Sequence, residues 1–260
     1  MESVYVIKIG GNIIDDEKKL SSFLKEFASV KSNKILVHGG GKLATKLADT
    51  LGIHQQLIDG RRITDAETLK IVTMVYAGYI NKNIVAQLQS HSCNAIGLSG
   101  ADANIIRAHK RIHPLIDYGF VGDIDSLNAE HLMQFINAGL TPIISPITSD
   151  GNGQLLNTNA DTIAQETAKA MSKFYEVQLI YSFEKSGVLL DADDDSTVIR
   201  SINQTYYAKL KEEKKIFAGM LPKIDNAFAA LNSGVKKVII GKAEELQNMI
   251  ENKSGTAITH

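Results

Sequence analysis

Short β-branched runs recur along the chain at Val4–Ile9, Lys34–His38, Ala95–Ser99, Thr141–Ser145, Val177–Ser182 and Lys236–Ile240, with helix-patterned segments between several of them. Parallel strands need long crossovers, and a helix is the usual crossover. This alternation argues for an α/β fold with a mostly parallel sheet covered on both faces, a three-layer αβα arrangement. Leu43, Leu47 and Leu51 recur at helical spacing ahead of Gly52. Thr64-Asp-Ala-Glu67 reads as a capping box with Thr64 as the cap, opening a long helix toward Gln89 that bends near Gly78. Pro222 suits a first helical turn and Asn159 a helix cap. The stretch 105–123, with Pro114 and Gly119, reads as a hairpin excursion. A composition shift near residue 172 is the candidate lobe boundary, giving lobes 1–172 and 173–260 on one continuous sheet.

Composition removes whole classes of function. The 260 residues are 44% hydrophobic and 22% charged, with a net charge of −1, which gives no electrostatic case for nucleic acid or an anionic membrane. The single cysteine, Cys93, excludes an intramolecular disulfide framework, and no CxxC or HExxH suggests a metal site. No apolar run approaches membrane-spanning length, and no basic-then-apolar leader precedes the first strand. The expectation is a cytoplasmic enzyme or binding protein.

The first strand ends in IKIGGNI, with Lys8 near its carboxyl end and Gly10 and Gly11 just beyond. In open parallel sheets, ligands bind outside the carboxyl ends of the strands. Bare amides at such a turn can cradle an anion; equally, the lysine can snorkel from an ordinary tight turn. The second strand ends the same way, in ILVHGGGK, with Gly39, Gly40 and Gly41 leading into a helix. His38 reads as a packing or hydrogen-bonded residue. Neither turn is GxGxxG and GxxxxGK[ST] is absent, so a dinucleotide fold and a P-loop fit poorly. NTNAD sets Asn157, Asn159 and Asp161 around a helix start, where capping accounts for Asn159 and Asp161. GMLPKIDNA sets Lys223 in a first helical turn, against the helix dipole unless an anion compensates. GRRIT supplies Arg61 and Arg62, either a solvated pair or a carboxylate clamp.

Together IKIGG, VHGGG, GRRIT-DAET, GLSG, NTNAD and GMLPKIDNA, in this order and over essentially the whole chain, resemble the amino acid kinase family, and within it the branch acting on N-acetylglutamate. The resemblance implies ATP-dependent phosphorylation of the γ-carboxylate of N-acetyl-L-glutamate, the second step of arginine biosynthesis. It places the acylglutamate in the amino-terminal lobe, and ATP with Mg²⁺ in the carboxy-terminal lobe. Lys8 and Lys223 match the two lysines that flank the transferring group, and Asp161 the carboxylate that orients them. Amides at Gly10, Gly11 and Gly40 match positions holding phosphoryl and carboxylate oxygens. Arg62 and Asn157 match the grip on the substrate's α-carboxylate and amide side, with Gly40, Gly41 and Asn159 in the same set. Ser182, Glu184, Gly187, Phe217 and Gly219 fall to the nucleotide. Mg²⁺ is expected to ride on the nucleotide phosphates, with no protein metal cage.

The chain departs from the family pattern at YSFEKSGVL, where Phe183 takes an expected aspartate position and Glu184 becomes the substitute acceptor. The DADDDS run begins like a calcium loop but has Ser196 and Ile202 where glycine and glutamate are needed, so a solvated loop is expected. Two alternatives remain: a kinase of the same fold acting on N-succinylglutamate or another acid, and a non-catalytic sensor. Lys8, Asp161 and Lys223 argue against the sensor, since a pure binder has less need of transition-state groups. The chain ends shortly after its last strand and helix, without the additional domain common in glutamate 5-kinases and aspartokinases, which favours the acylglutamate reading. Leu69, Val72, Val75, Tyr76 and Tyr79 suggest an apolar stripe buried in a homodimer. With the first strand starting by Val4, no room is left for the extra helix that links arginine-inhibited relatives into hexamers, so no response to arginine is expected.

Overall fold

The structure, a computed structural model, describes residues 2–58, 61–191, 193–216 and 220–260. The chain forms two compact units: residues 1–34 with 164–260, and residues 35–163. The helix Ala160–Met171 ends where the composition shifts, and the units divide within it. All six sequence-derived strands are present, and parallel pairings dominate the main ladders. Among the described residues no helix is long and apolar enough to cross a membrane.

In the first unit, strand Glu176–Phe183 pairs in parallel with Ser3–Ile9 on one side and Lys237–Lys242 on the other. Thr256–Ile258 then runs antiparallel to Lys237–Lys242 and parallel to Ser201–Ile202. Val4, Val6, Ile7, Ile9, Leu179 and Ile180 are fully buried. That near-continuous burial is the signature of strands covered on both faces. The helix Glu17–Ser29 starts at Asp16, whose carboxylate accepts from Lys18 N and Lys19 N at 3.0 and 3.1 Å. It buries Leu20, Phe23, Leu24 and Phe27, one face at spacings of three and four. Pro222 lies in the first turn of helix Leu221–Asn232, where its missing N–H costs no bond.

In the second unit, Thr141–Ile144 is flanked in parallel by Asn33–His38 and Ala95–Leu98. The expected hairpin is real: Ile106–Lys110 and Val121–Leu127 are antiparallel and close into a small barrel with Ile147–Ser149 and Leu155–Thr158. Gly122 is required there, because a Cβ would meet Thr158 Oγ1 at 2.6 Å.

Local details depart from what the sequence suggests. Asp65, not Thr64, caps the helix that begins at Ala66: its carboxylate accepts from Thr68 N at 2.7 Å, while Thr64 Oγ1 donates to Arg62 O at 2.9 Å. The threonine sits one residue too early because its hydroxyl serves the preceding turn. Beyond Val72 the helix continues as a π-helical stretch, Thr73–Ile80, which contains Gly78 and leads into the α-helix Asn81–Ser90. Helix Gly41–Thr50 buries Ala44 and Ala48 instead of its leucine row; Leu51 is 56% exposed. Of the apolar stripe on the long helix, Leu69, Val72, Val75 and Tyr76 are already buried within the chain, and only Tyr79 stands out, at 65% exposure.

Candidate active site

The first glycine turn and the divergent 182–187 turn adjoin, because Ile9 and Ser182 are register partners in neighbouring parallel strands. Gly10 N donates to Ser182 O at 3.0 Å. That amide is therefore committed to the backbone and does not serve an oxyanion, which corrects the expectation for Gly10. Gly11 opens a single short helical turn, Gly11–Ile14, and Asn12 Nδ2 from that turn donates to Glu184 Oε1 at 2.8 Å. Neither glycine is demanded by the fold. Gly10 has φ −74°, and a Cβ on either residue would meet ordinary contacts at 3.5 and 3.9 Å. Ser182 is buried, and its Oγ has no hydrogen-bond partner among the described residues. Gly187 is a different case. Its φ is 151° and a Cβ would strike Thr256 Oγ1 at 2.5 Å, so packing against the carboxy-terminal strand explains this glycine.

At the second glycine turn the requirement is concentrated in one residue. Gly40 has φ +142°, and a Cβ there would lie 2.1 Å from Ile80 Cδ1 on the π-helical stretch. Gly39 and Gly41 carry no such constraint. His38 is fully buried beneath the turn, with Nδ1 2.9 Å from Gly39 O and Nε2 3.1 Å from Asn81 Nδ2. Burial pulls its pKa from 6.5 down to about 4, with the nearby Lys82 ammonium adding to the effect. His38 is a neutral structural residue, as its sequence context suggests.

A cavity of about 190 Å³ opens beside this turn, lined by Gly39–Gly41, Arg62, Asn157 and Asn159. All five residues assigned to substrate from sequence, Gly40, Gly41, Arg62, Asn157 and Asn159, line this cavity. Arg62 is buried and held by three neutral acceptors: Nη2 donates to Gly41 O and Thr45 Oγ1, both at 2.9 Å, and Nη1 donates to Gln55 Oε1. Of the five guanidinium donors, Nε–H and one Nη1–H keep no protein partner among the described residues. Asn157 Nδ2 donates to Thr64 Oγ1 at 3.0 Å, and its backbone N–H to Phe120 O at 2.8 Å. Asn159 is spent as a helix cap, its Oδ1 accepting from Asp161 N at 2.8 Å and Thr162 N at 3.2 Å.

Sequence reasoning missed two charged residues on the same wall, Arg111 and Asp123. Arg111 Nε donates to both Asp123 carboxylate oxygens at 3.1 Å, and Nη2 donates to Oδ1. The signal was opposite charge at the loop end of the 105–123 hairpin, where Arg111 N donates to Val121 O at 2.8 Å.

Lys8 lies on strand Ser3–Ile9 and Lys223 in the first turn of Leu221–Asn232, both in the unit of residues 1–34 and 164–260. Asp161 lies in the first turn of Ala160–Met171, in the unit of residues 35–163. Phe217 and Gly219 fall outside the described residues. Among the described residues no group of three or more His, Cys, Asp or Glu side chains is placed to hold a metal ion. The acidic 191–196 loop turns its carboxylates onto its own amides: Asp191 Oδ1 accepts from Asp193 N and Asp194 Oδ1 from Ser196 N.

The sequence pattern of the amino acid kinase family matches residues 3–242. The acetylglutamate kinase of Cytophaga hutchinsonii is 57% identical over 258 residues, 98% of this chain and 97% of its own length. That of Parabacteroides distasonis is 52% identical over 246 residues, 95% of this chain and 96% of its own. Among solved structures, smu.665 from Streptococcus mutans UA159 superposes with a TM-score of 0.78 at 26% identity, over 99% of this chain and 98% of that one. On its motifs, its α/β topology and these likenesses, the chain belongs to the amino acid kinase family.

Proposed function

We propose that this kinase transfers the γ-phosphoryl group of ATP to the γ-carboxylate of N-acetyl-L-glutamate, giving N-acetyl-L-glutamyl 5-phosphate, in the cytoplasm and as the second step of arginine biosynthesis. The observation that carries the reading is Arg62: a buried guanidinium fixed by neutral acceptors, with donors left for a carboxylate in a cavity sized for a small ligand. The acetylglutamate kinase name shared by relatives at 50% identity and above supports the acceptor.

The acceptor carboxylate is already ionised at neutral pH, so the chain needs no general base to create the nucleophile. What it must supply is positive charge where two anions meet, and alignment. Lys8 and Lys223 are assigned the charge, and Asp161 the carboxylate that keeps those ammoniums in place. Arg62 and Asn157 hold the substrate's α-carboxylate and amide side. ATP, with Mg²⁺ riding on its phosphates, supplies the phosphoryl group. Gly10 and Gly11 fit such a ligand, since neither the backbone angle of Gly10 nor crowding at either residue explains their missing side chains. Residues 173–260 are assigned to the nucleotide and the amino-terminal lobe to the acylglutamate. A homodimer is proposed through the surface around exposed Tyr79 and Met74.

The test is ATP consumption measured side by side on N-acetylglutamate, N-succinylglutamate, glutamate and aspartate. Turnover is expected on N-acetylglutamate with the free amino acids inert; preference for glutamate or aspartate would reject the reading.

A further inference from the structure

We propose that Arg111 and Asp123 form the part of the cavity wall that chooses the acyl group, and that they choose an uncharged one. The inference rests on the acylglutamate reading above and adds a specificity element to it. The two arginines of this cavity are electrically different. Among the described residues every hydrogen-bond partner of Arg62 is neutral, so it presents a full positive charge. Arg111 is matched side-on by the Asp123 carboxylate through Nε and Nη2, so its wall is polar but carries no net charge.

Arg111 is also held in place. Its backbone N–H is tied to Val121 O at 2.8 Å, and its guanidinium lies over the Tyr118 ring, 5.6 Å from the centroid. Tyr118 is buried and meets His113 edge-on. One face of the guanidinium is stacked and one edge paired, which leaves its Nη1 donors uncommitted among the described residues. An acylglutamate offers the matching pattern: an α-carboxylate for the cationic end at Arg62, and a neutral acyl carbonyl for the Nη1 edge of Arg111. An acyl chain ending in a second carboxylate would instead be brought beside Asp123 in a partly desolvated cavity, where like charges repel.

The experiment compares kcat/KM for N-acetylglutamate and N-succinylglutamate in the unaltered enzyme, in Asp123→Asn and in Arg111→Gln, with KM for ATP and thermal melting followed in each. The unaltered enzyme should favour the acetyl substrate. Asp123→Asn, which unmasks the Arg111 charge and keeps the shape, should move the ratio toward the succinyl substrate by roughly tenfold or more. Arg111→Gln should weaken both substrates without that shift, and KM for ATP should hold. An unaltered enzyme that prefers the succinyl substrate overturns the proposal, as does a ratio unmoved in a folded Asp123→Asn enzyme. Turnover of neither acylglutamate by the unaltered enzyme would remove the functional reading and this inference with it; turnover with an unmoved ratio removes the inference alone.

Discussion

Asn81 fixes the tautomer of His38. Its Nδ2 group donates both to Ile143 O at 2.9 Å and to His38 Nε2 at 3.1 Å, so Nε2 is the acceptor and the ring proton sits on Nδ1, donating to Gly39 O. A neutral imidazole is thereby built into the floor of the second glycine turn.

This arrangement makes stability depend on pH with a definite sign. The folded pKa of about 4 lies below the ordinary 6.5, so between these values the unfolded chain binds the proton more readily. The contribution is complete above pH 6.5 and is lost as the pH falls toward 4, by about 3 kcal/mol. Chemical denaturation at pH 7 and pH 4.5 should show the chain losing roughly 2 kcal/mol more than His38→Gln, most of the full effect. Equal losses in the two proteins would remove His38 from the acid response.

Two glycines should separate structure from function. Gly40→Ala places a Cβ 2.1 Å from Ile80 Cδ1 at φ +142°, and should cost roughly 1–3 kcal/mol of stability. Gly11→Ala meets its nearest heavy atom at 3.9 Å, so its melting temperature should hold while KM for ATP rises. A fall in melting temperature for Gly11→Ala with unchanged KM would show that this glycine serves the fold.

Lys8→Ala and Lys223→Ala should each lower kcat roughly a hundredfold or more, the scale for losing one electrostatic partner of a transition state. Lys8→Arg should fail to restore it, because the planar fork is larger and directed differently. Steady-state kinetics at saturating substrates decides, and near-normal kcat in either alanine variant excludes that lysine from the chemistry.

Arg62→Ala should raise KM for the acylglutamate far more than it lowers kcat, since a carboxylate clamp acts in ground and transition states alike. If KM for ATP rises instead, the cavity of residues 35–163 is not the acylglutamate site.

Tyr79 and Met74 are 65% and 56% exposed on the π-helical stretch, and this surface should carry the two-fold contact. Light scattering should give a dimer that Tyr79→Glu converts to a monomer. A monomer at all concentrations in the unaltered chain would reject the assignment.

The sequence by itself determined the α/β class, because alternation of β-branched runs with helical patterns leaves few other ways to bury both. It also determined the glycine turns and the cap at Asn159, whose causes are local: a missing Cβ, or one side-chain oxygen facing nearby amides. Arg62 and Asn157 were legible through motif order. What tertiary structure decided were matters of long-range partnership. Whether Thr64 or Asp65 caps a helix depended on what the threonine hydroxyl met in the preceding turn. Whether Gly10 offers its amide to a ligand depended on a strand more than 170 residues away, which claims it through Ser182 O. The Arg111–Asp123 pair was invisible because its two charges become neighbours only when the hairpin closes, and their approach to Arg62 is set by the barrel that carries them. Local chemistry can be read along a chain; which donor finds which acceptor across the fold cannot, because each backbone and side-chain group has many candidate partners and packing selects among them.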